Sequence, residues 1–186
     1  QAGSPGLLLQ PNIQGVINGV HRNGFKIFTY MDPLGGEVVP ELHRRNRGLG
    51  LWKAGLDGTM TWAYTHIADD RGAMIFSFVY RGKEAPFDTL SWEAYREGVD
   101  DARYLTTLLD VLGRAAGRPN GQDPLVTETW TWLTSLDAAT VDLAATRSEI
   151  ARRIIALREL GEHPKPLVEI DPAKLGPAPA GEVWEV

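Results

Sequence analysis

The stretch "LSWEAYREGVDDARYLTTLLD", residues 90–110, constrains this chain more than any other. Trp92, Tyr95, Val99, Ala102, Leu105, Leu109 and Leu112 recur at the 3.6-residue period and form one continuous apolar stripe. A helix of this kind has to bury its stripe, and the elements that precede it predict a sheet as its partner. Ser91 is the predicted N-cap, and Glu93 falls in the first turn, where a carboxylate is favoured. The polar side is heavily charged: Glu93, Glu97 and Asp101 stand four residues apart, with Arg96, Asp100 and Arg103 beside them.

That charged row has to be weighed as chemistry or as surface. Like charges at i, i+4 cost about 0.2–0.5 kcal/mol each, and the opposite-sign Arg96–Asp100 pair partly offsets this. Catalytic carboxylates in glycosidases flank a bond from facing positions about 5–9.5 Å apart. Neighbours on one outward helix face do not enclose a substrate. The row is therefore read as structural or solvated, with Glu93 and Arg96 best placed to reach a strand-end site or pin a loop.

Upstream, strands and helices alternate. Ile13, Val16, Ile17 and Val20 have helical spacing after a candidate cap at Asn12, and Gly24 is placed to end that helix in a left-handed conformation. "FKIFTY" (25–30) reads as a strand, and "PELHRRNRGLGLWKAG" (40–55) as a helix with Pro40 at its start. Leu42, Leu49 and Trp52 are its expected buried residues, with Gly48 and Gly50 weakening its interior. "GTMTWAY" (58–64) is a second strand. "AMIFSFVY" (73–80) is a third, with the near-continuous apolar run of a strand covered on both faces. This order favours parallel βαβ units and an α/β fold. Beyond residue 112, Asp123–Pro124 opens a helix carrying Trp130 and Leu133, and 141–160 forms another with Ile150, Ile154 and Leu157 as its buried row. The tail from 161 is proline-rich and expected to be extended.

Composition narrows the function classes. A formal net charge of -5 disfavours nucleic acid and anionic membrane as partners. The chain contains no cysteine, which excludes disulfides, thiolate catalysis and cysteine zinc sites. No apolar run approaches the roughly 20 residues of a membrane span. His21, His43, His66 and His163 lack metal-ligand spacing, and neither a phosphate-binding glycine motif nor a G-x-S-x-G elbow is present. No cofactor, metal or catalytic residue is assigned from these residues.

What remains is aromatic. Tyr30 closes the first strand, Trp62 and Tyr64 the second, and Tyr80 the third. In α/β barrels and open sheets the C-terminal strand ends carry the site. Rings there suit stacking on the apolar face of a sugar, with their polar atoms left for hydroxyls. Tyr and Trp are also common strand formers that pack at sheet ends. His66, just beyond Trp62 and Tyr64, is a weaker candidate for a polar ligand contact.

Taken together, "RRNRGLGLWKAGLDGTMTWAY", "FSFVYRG" and "LSWEAYREGVDDARYLTTL" resemble the C-terminal part of the catalytic barrel of glycoside hydrolase family 123 and its relatives of unknown function. Trp52, Gly55, Asp57, Gly58, Trp62, Tyr80, Gly82, Trp92, Glu93, Arg96, Gly98, Asp101 and Tyr104 lie on that pattern, which covers about residues 20–112. The resemblance implies the last strands and helices of a (β/α)8 barrel over 1–112, a helical extension over 113–160 and an extended tail over 161–186. It implies retaining, substrate-assisted hydrolysis of 2-acetamido sugars. Tyr30, Trp62, Tyr64, His66 and Tyr80 would line the sugar site, and Glu93, Arg96 and Asp101 would belong to the architecture of the last barrel helix. The acidic dyad of the family is an adjacent Asp–Glu pair, and no such dipeptide occurs in these 186 residues. The pair is thus expected upstream of Gln1, supplied by the remainder of the barrel or by a partner chain. Arg81 stands where relatives often carry proline. A secreted or periplasmic setting follows from the resemblance alone. The other reading left open is a non-catalytic carbohydrate-binding or assembly component with a barrel-derived fold.

Overall fold

The structure is a computed structural model that describes residues 13–30, 33, 35–36, 38–66, 77–117 and 123–160. The segment 1–11, the Asn12 cap, residues 73–76 of the third expected strand and the tail 161–186 lie outside the described residues.

Helices dominate a mixed α and β architecture. Helix α1 (Ile13–Arg22) is followed by strand β1 (Phe28–Tyr30), helices α2 (Pro40–Arg47) and α3 (Leu49–Ala54), and strand β2 (Gly58–Met60). Strands β3 (Val79–Tyr80) and β4 (Phe87–Asp88) precede the long helix α4 (Leu90–Ala116), then α5 (Pro124–Ser135) and α6 (Leu143–Glu159). The expected parallel pairing is present: β1 and β2 run parallel, with Phe28, Thr29 and Tyr30 opposite Gly58, Thr59 and Met60. A short antiparallel pair joins β3 to β4. The strands are shorter than the apolar runs in the sequence.

Local chemistry sets the helix ends. Gly24 takes φ +75°, closing the turn after α1 as its position predicted. Gly55 takes φ +77° and its amide caps α3 through the carbonyls of Leu51 and Trp52. Asp123 and Asp142 accept from the amides of Leu125 and Ala145, 2.9 and 2.8 Å away, and so start α5 and α6. For α4 the cap is Thr89, whose hydroxyl accepts from the Trp92 amide at 3.1 Å. Ser91, the expected cap, is instead a buried residue within the helix.

The core forms around α4. Leu105, Leu108, Val111, Leu112 and Ala115 pack with Val126 and Leu133 of α5 and with Ile150, Ile154 and Leu157 of α6. Each fully buried Leu or Ile contributes about 1.5–3 kcal/mol of transfer free energy. A smaller cluster joins Ile17 of α1 to Ala54 and Leu56. The upper half of α4 presents Gly98 and Asp101 to α2, and the helices come close because Gly48 and Gly98 carry no side chains. A Cβ on Gly98 would lie 2.5 Å from the Arg44 carbonyl oxygen and 2.8 Å from Arg47 Cβ.

The expected continuous helix over 40–55 is broken at Gly48, between α2 and α3. Its buried side is also polar. His43, Arg45, Asn46 and Arg47 are buried, whereas Leu42 is only partly covered.

Candidate functional site at the strand ends

The site is built by three neighbouring chain segments. Because β1 and β2 are parallel and in register, Tyr30 and Met60 end at the same level, and Trp62 follows two residues later. The next segment lies alongside: the Phe78 amide donates to the Ala63 carbonyl at 3.1 Å, and the Val79 amide to the Tyr64 carbonyl at 2.9 Å. Tyr80 thus ends one strand further across. Tyr30, Met60, Trp62 and Tyr64 each keep about half of their surface in solvent, and Tyr80 is 39 % exposed.

The loop after β1 is fastened to this edge. The Gly35 amide donates to the Trp62 carbonyl at 3.2 Å, and the Pro33 carbonyl accepts from the Thr61 hydroxyl at 3.4 Å. The same carbonyl accepts from Nη2 of Arg47 at 3.1 Å, and the Arg47 guanidinium lies over the Tyr95 ring, 5.3 Å from its centroid. A buried arginine is thus the anchor of the loop beside Trp62. Sequence reading missed it, because "HRRNR" looks like a solvated helix face. The available signal was the composition of α2, where Leu42 is the one aliphatic side chain after Pro40, so that a helix packed on both sides also has to bury polar residues.

The predicted residues divide into groups. Trp62 and His66 come together edge to face, with ring centroids 5.8 Å apart. Tyr64 packs edge-on against Trp92 at 5.0 Å and so joins an aromatic cluster with Phe78 and Tyr95. Among the described residues no ring contact links Tyr30, Trp62 and Tyr80 to one another. The Trp62–Ala63 peptide is cis.

The acidic row has a different fate. Glu93 and Arg96 form a solvated pair on the first turn of α4, with Arg96 Nη1 2.9 Å from both carboxylate oxygens. Asp101 is 2 % exposed. It accepts from Arg44 Nε at 2.7 Å and Nη2 at 3.1 Å, and from Arg147 Nε. Arg147 also donates to the Glu97 carbonyl at 2.7 Å and pairs with its carboxylate. Arg44, Asp101, Arg147 and Glu97 thus tie α2, α4 and α6 together.

At the opposite, N-terminal end of the parallel pair, Asp57 accepts from the Ile27 amide at 2.9 Å, from His21 at 2.8 Å and from Lys26 at 2.9 Å. The amide bond, then the His21 and Lys26 bonds, hold the Asp57 carboxyl well below the usual carboxylate range. Gly58 lies under the Phe28 ring, where an added Cβ would fall 2.4 Å from a ring carbon. Gly58, Gly98, Asp57 and Asp101 thus hold the framework.

A shallow depression of about 440 Å³ lies between α2, α4 and α6, lined in part by Glu41, Arg44, Glu97 and Asp142. None of the strand-end rings borders it. Among the described residues no group of three or more His, Asp or Glu side chains is arranged to hold a metal ion, and no helix is long and apolar enough to cross a membrane. No family model, curated protein or solved structure matches the chain.

Proposed function

We propose that the chain is the C-terminal section of a carbohydrate-active (β/α)8 barrel whose strand ends bind a 2-acetamido sugar. The observation that carries this reading is the set of half-exposed rings, Tyr30, Trp62 and Tyr80, at the ends of successive strand segments. Such rings bury the C–H face of a pyranose while their polar atoms meet its hydroxyls. The parallel β1–β2 pair supports a strand–helix framework, and the resemblance to glycoside hydrolase family 123 supplies the acetamido sugar and the retaining, substrate-assisted mechanism. On this reading an adjacent Asp–Glu pair comes from outside these residues, through the remainder of the barrel or a partner chain, because the sequence holds no such dipeptide.

A non-catalytic carbohydrate-binding component is the second reading, favoured by the absence of an Asp–Glu dipeptide from the sequence. Saturation-transfer NMR with the methyl 2-acetamido-2-deoxyglycosides of the gluco and galacto series tests the shared element. The 186-residue chain binds one of them without hydrolysing it, and Trp62→Ala weakens binding by about three- to tenfold, the value of one aromatic contact. Unchanged binding by Trp62→Ala would sink the aromatic platform. Hydrolysis by a longer natural chain that contains an Asp–Glu pair selects the enzyme over the binder.

A further inference from the structure

We infer that His66 is a positioning residue for Trp62, holding the indole at a fixed angle, and not a ligand contact in its own right. The sugar-binding consequence rests on the proposed function; the positioning does not.

Two observations carry it. The first is the ring geometry. The imidazole meets the Trp62 indole at an interplanar angle of 64° with centroids 5.8 Å apart, an edge-to-face contact within the favourable range for aromatic pairs. Trp62 is 50 % exposed, whereas His66 is only partly exposed, so the indole presents the open surface and the imidazole backs it.

The second observation is the anchorage of His66. Its backbone amide donates to the Ser77 hydroxyl at 2.8 Å, and the same hydroxyl donates to the His66 carbonyl at 3.4 Å. Ser77 is 1 % exposed, so this clamp is sheltered from water. The preceding residue is tied as well, through the Thr65 hydroxyl to the Val79 carbonyl at 3.2 Å. The backbone of Trp62 is fixed independently by the Gly35 amide. With both backbones held, the imidazole restricts the indole to one rotamer. An exposed indole without that support would exchange among staggered rotamers and lose orientation on ligand binding.

The test separates positioning from binding. The full 186-residue chain is labelled with 5-fluorotryptophan, and the Trp62 resonance is assigned by its absence in Trp62→Phe. In His66→Ala the Trp62 resonance shifts and narrows as the ring gains freedom, while the other tryptophan resonances stay in place. His66→Phe keeps a ring edge at the same position and restores the original resonance. In parallel, His66→Ala weakens binding of the methyl 2-acetamido-2-deoxyglycoside by about three- to tenfold, and His66→Phe recovers it to within about twofold. An unchanged Trp62 resonance in His66→Ala overturns the inference, whatever the sugar does. Loss of binding in His66→Phe with a restored resonance also overturns it, because the imidazole would then be contacting the sugar. If Trp62→Ala binds sugar normally, the aromatic platform fails while the resonance result still decides the role of His66.

Discussion

Arg44 and Asp101, 57 residues apart in the chain, form a two-point ion pair that joins α2 to α4. Arg147 reaches the same carboxylate from α6, so one buried aspartate serves two guanidiniums. A pair of this kind adds little net stability over an apolar replacement, but removing one member strands the other charges.

Asp101→Asn or Asp101→Ala is therefore expected to destabilise the protein by about 3 kcal/mol, less than a fully sequestered triad because both arginines retain some solvent contact. Urea denaturation measures it. Glu93→Gln, which breaks a solvated pair on the same helix, should change stability by under about 0.5 kcal/mol. Equal effects of the two substitutions would contradict the buried role of Asp101.

Two glycines of α4 make a sharper comparison. Alanine raises helix propensity by about 1 kcal/mol at either position. At Gly113 an added Cβ meets nothing within 4 Å, so Gly113→Ala is expected to stabilise by up to that amount. At Gly98 the Cβ would meet the backbone of α2, and overpacking of about 1–3 kcal/mol outweighs the propensity gain. Thermal unfolding of the two variants should move in opposite directions, and a stabilised Gly98→Ala would mean that α2 and α4 do not cross this closely.

The Asp57 clamp sets an acid sensitivity. Its carboxyl is held below the ordinary value of 3.8 by the Ile27 amide first and by His21 and Lys26 next. A carboxyl with a depressed folded-state pKa contributes stability that is fully present above the ordinary carboxylate range and lost as pH falls through and below it. Asp57→Asn removes that contribution: its Tm should be lower than that of the unaltered chain at pH 7, with the gap narrowing as pH drops from about 5 towards 2. A gap independent of pH would show that the carboxylate charge is not what clamps β1 to β2.

Much of the framework was legible in the residues themselves. Ile150, Ile154 and Leu157 of α6 are buried as their period predicted, whereas of the stripe expected on α4 only Leu105 and Leu112 are fully buried and Trp92, Tyr95, Val99, Ala102 and Leu109 are partly covered. Asp123–Pro124 predicted the start of α5, and Gly24 the left-handed turn after α1, because caps and turns are decided within a few residues. Tyr30 and Tyr80 close β1 and β3 as their positions predicted, whereas β2 stops at Met60, two residues short of Trp62.

What only the tertiary structure decided is which polar residues are buried and why. Within one helix Asp101 is indistinguishable from Glu97, since both belong to a row of like charges. Burial of one and partial exposure of the other follows from Arg44 and Arg147, which arrive from helices far away in sequence. Arg47 likewise looks solvated until the Pro33 carbonyl and the Tyr95 ring are brought to it. Local spacing encodes periodicity, caps and turns because those energies are short-ranged. The pairing of charges in a low-dielectric interior depends on partners distant in the chain, and only packing brings them within hydrogen-bonding reach.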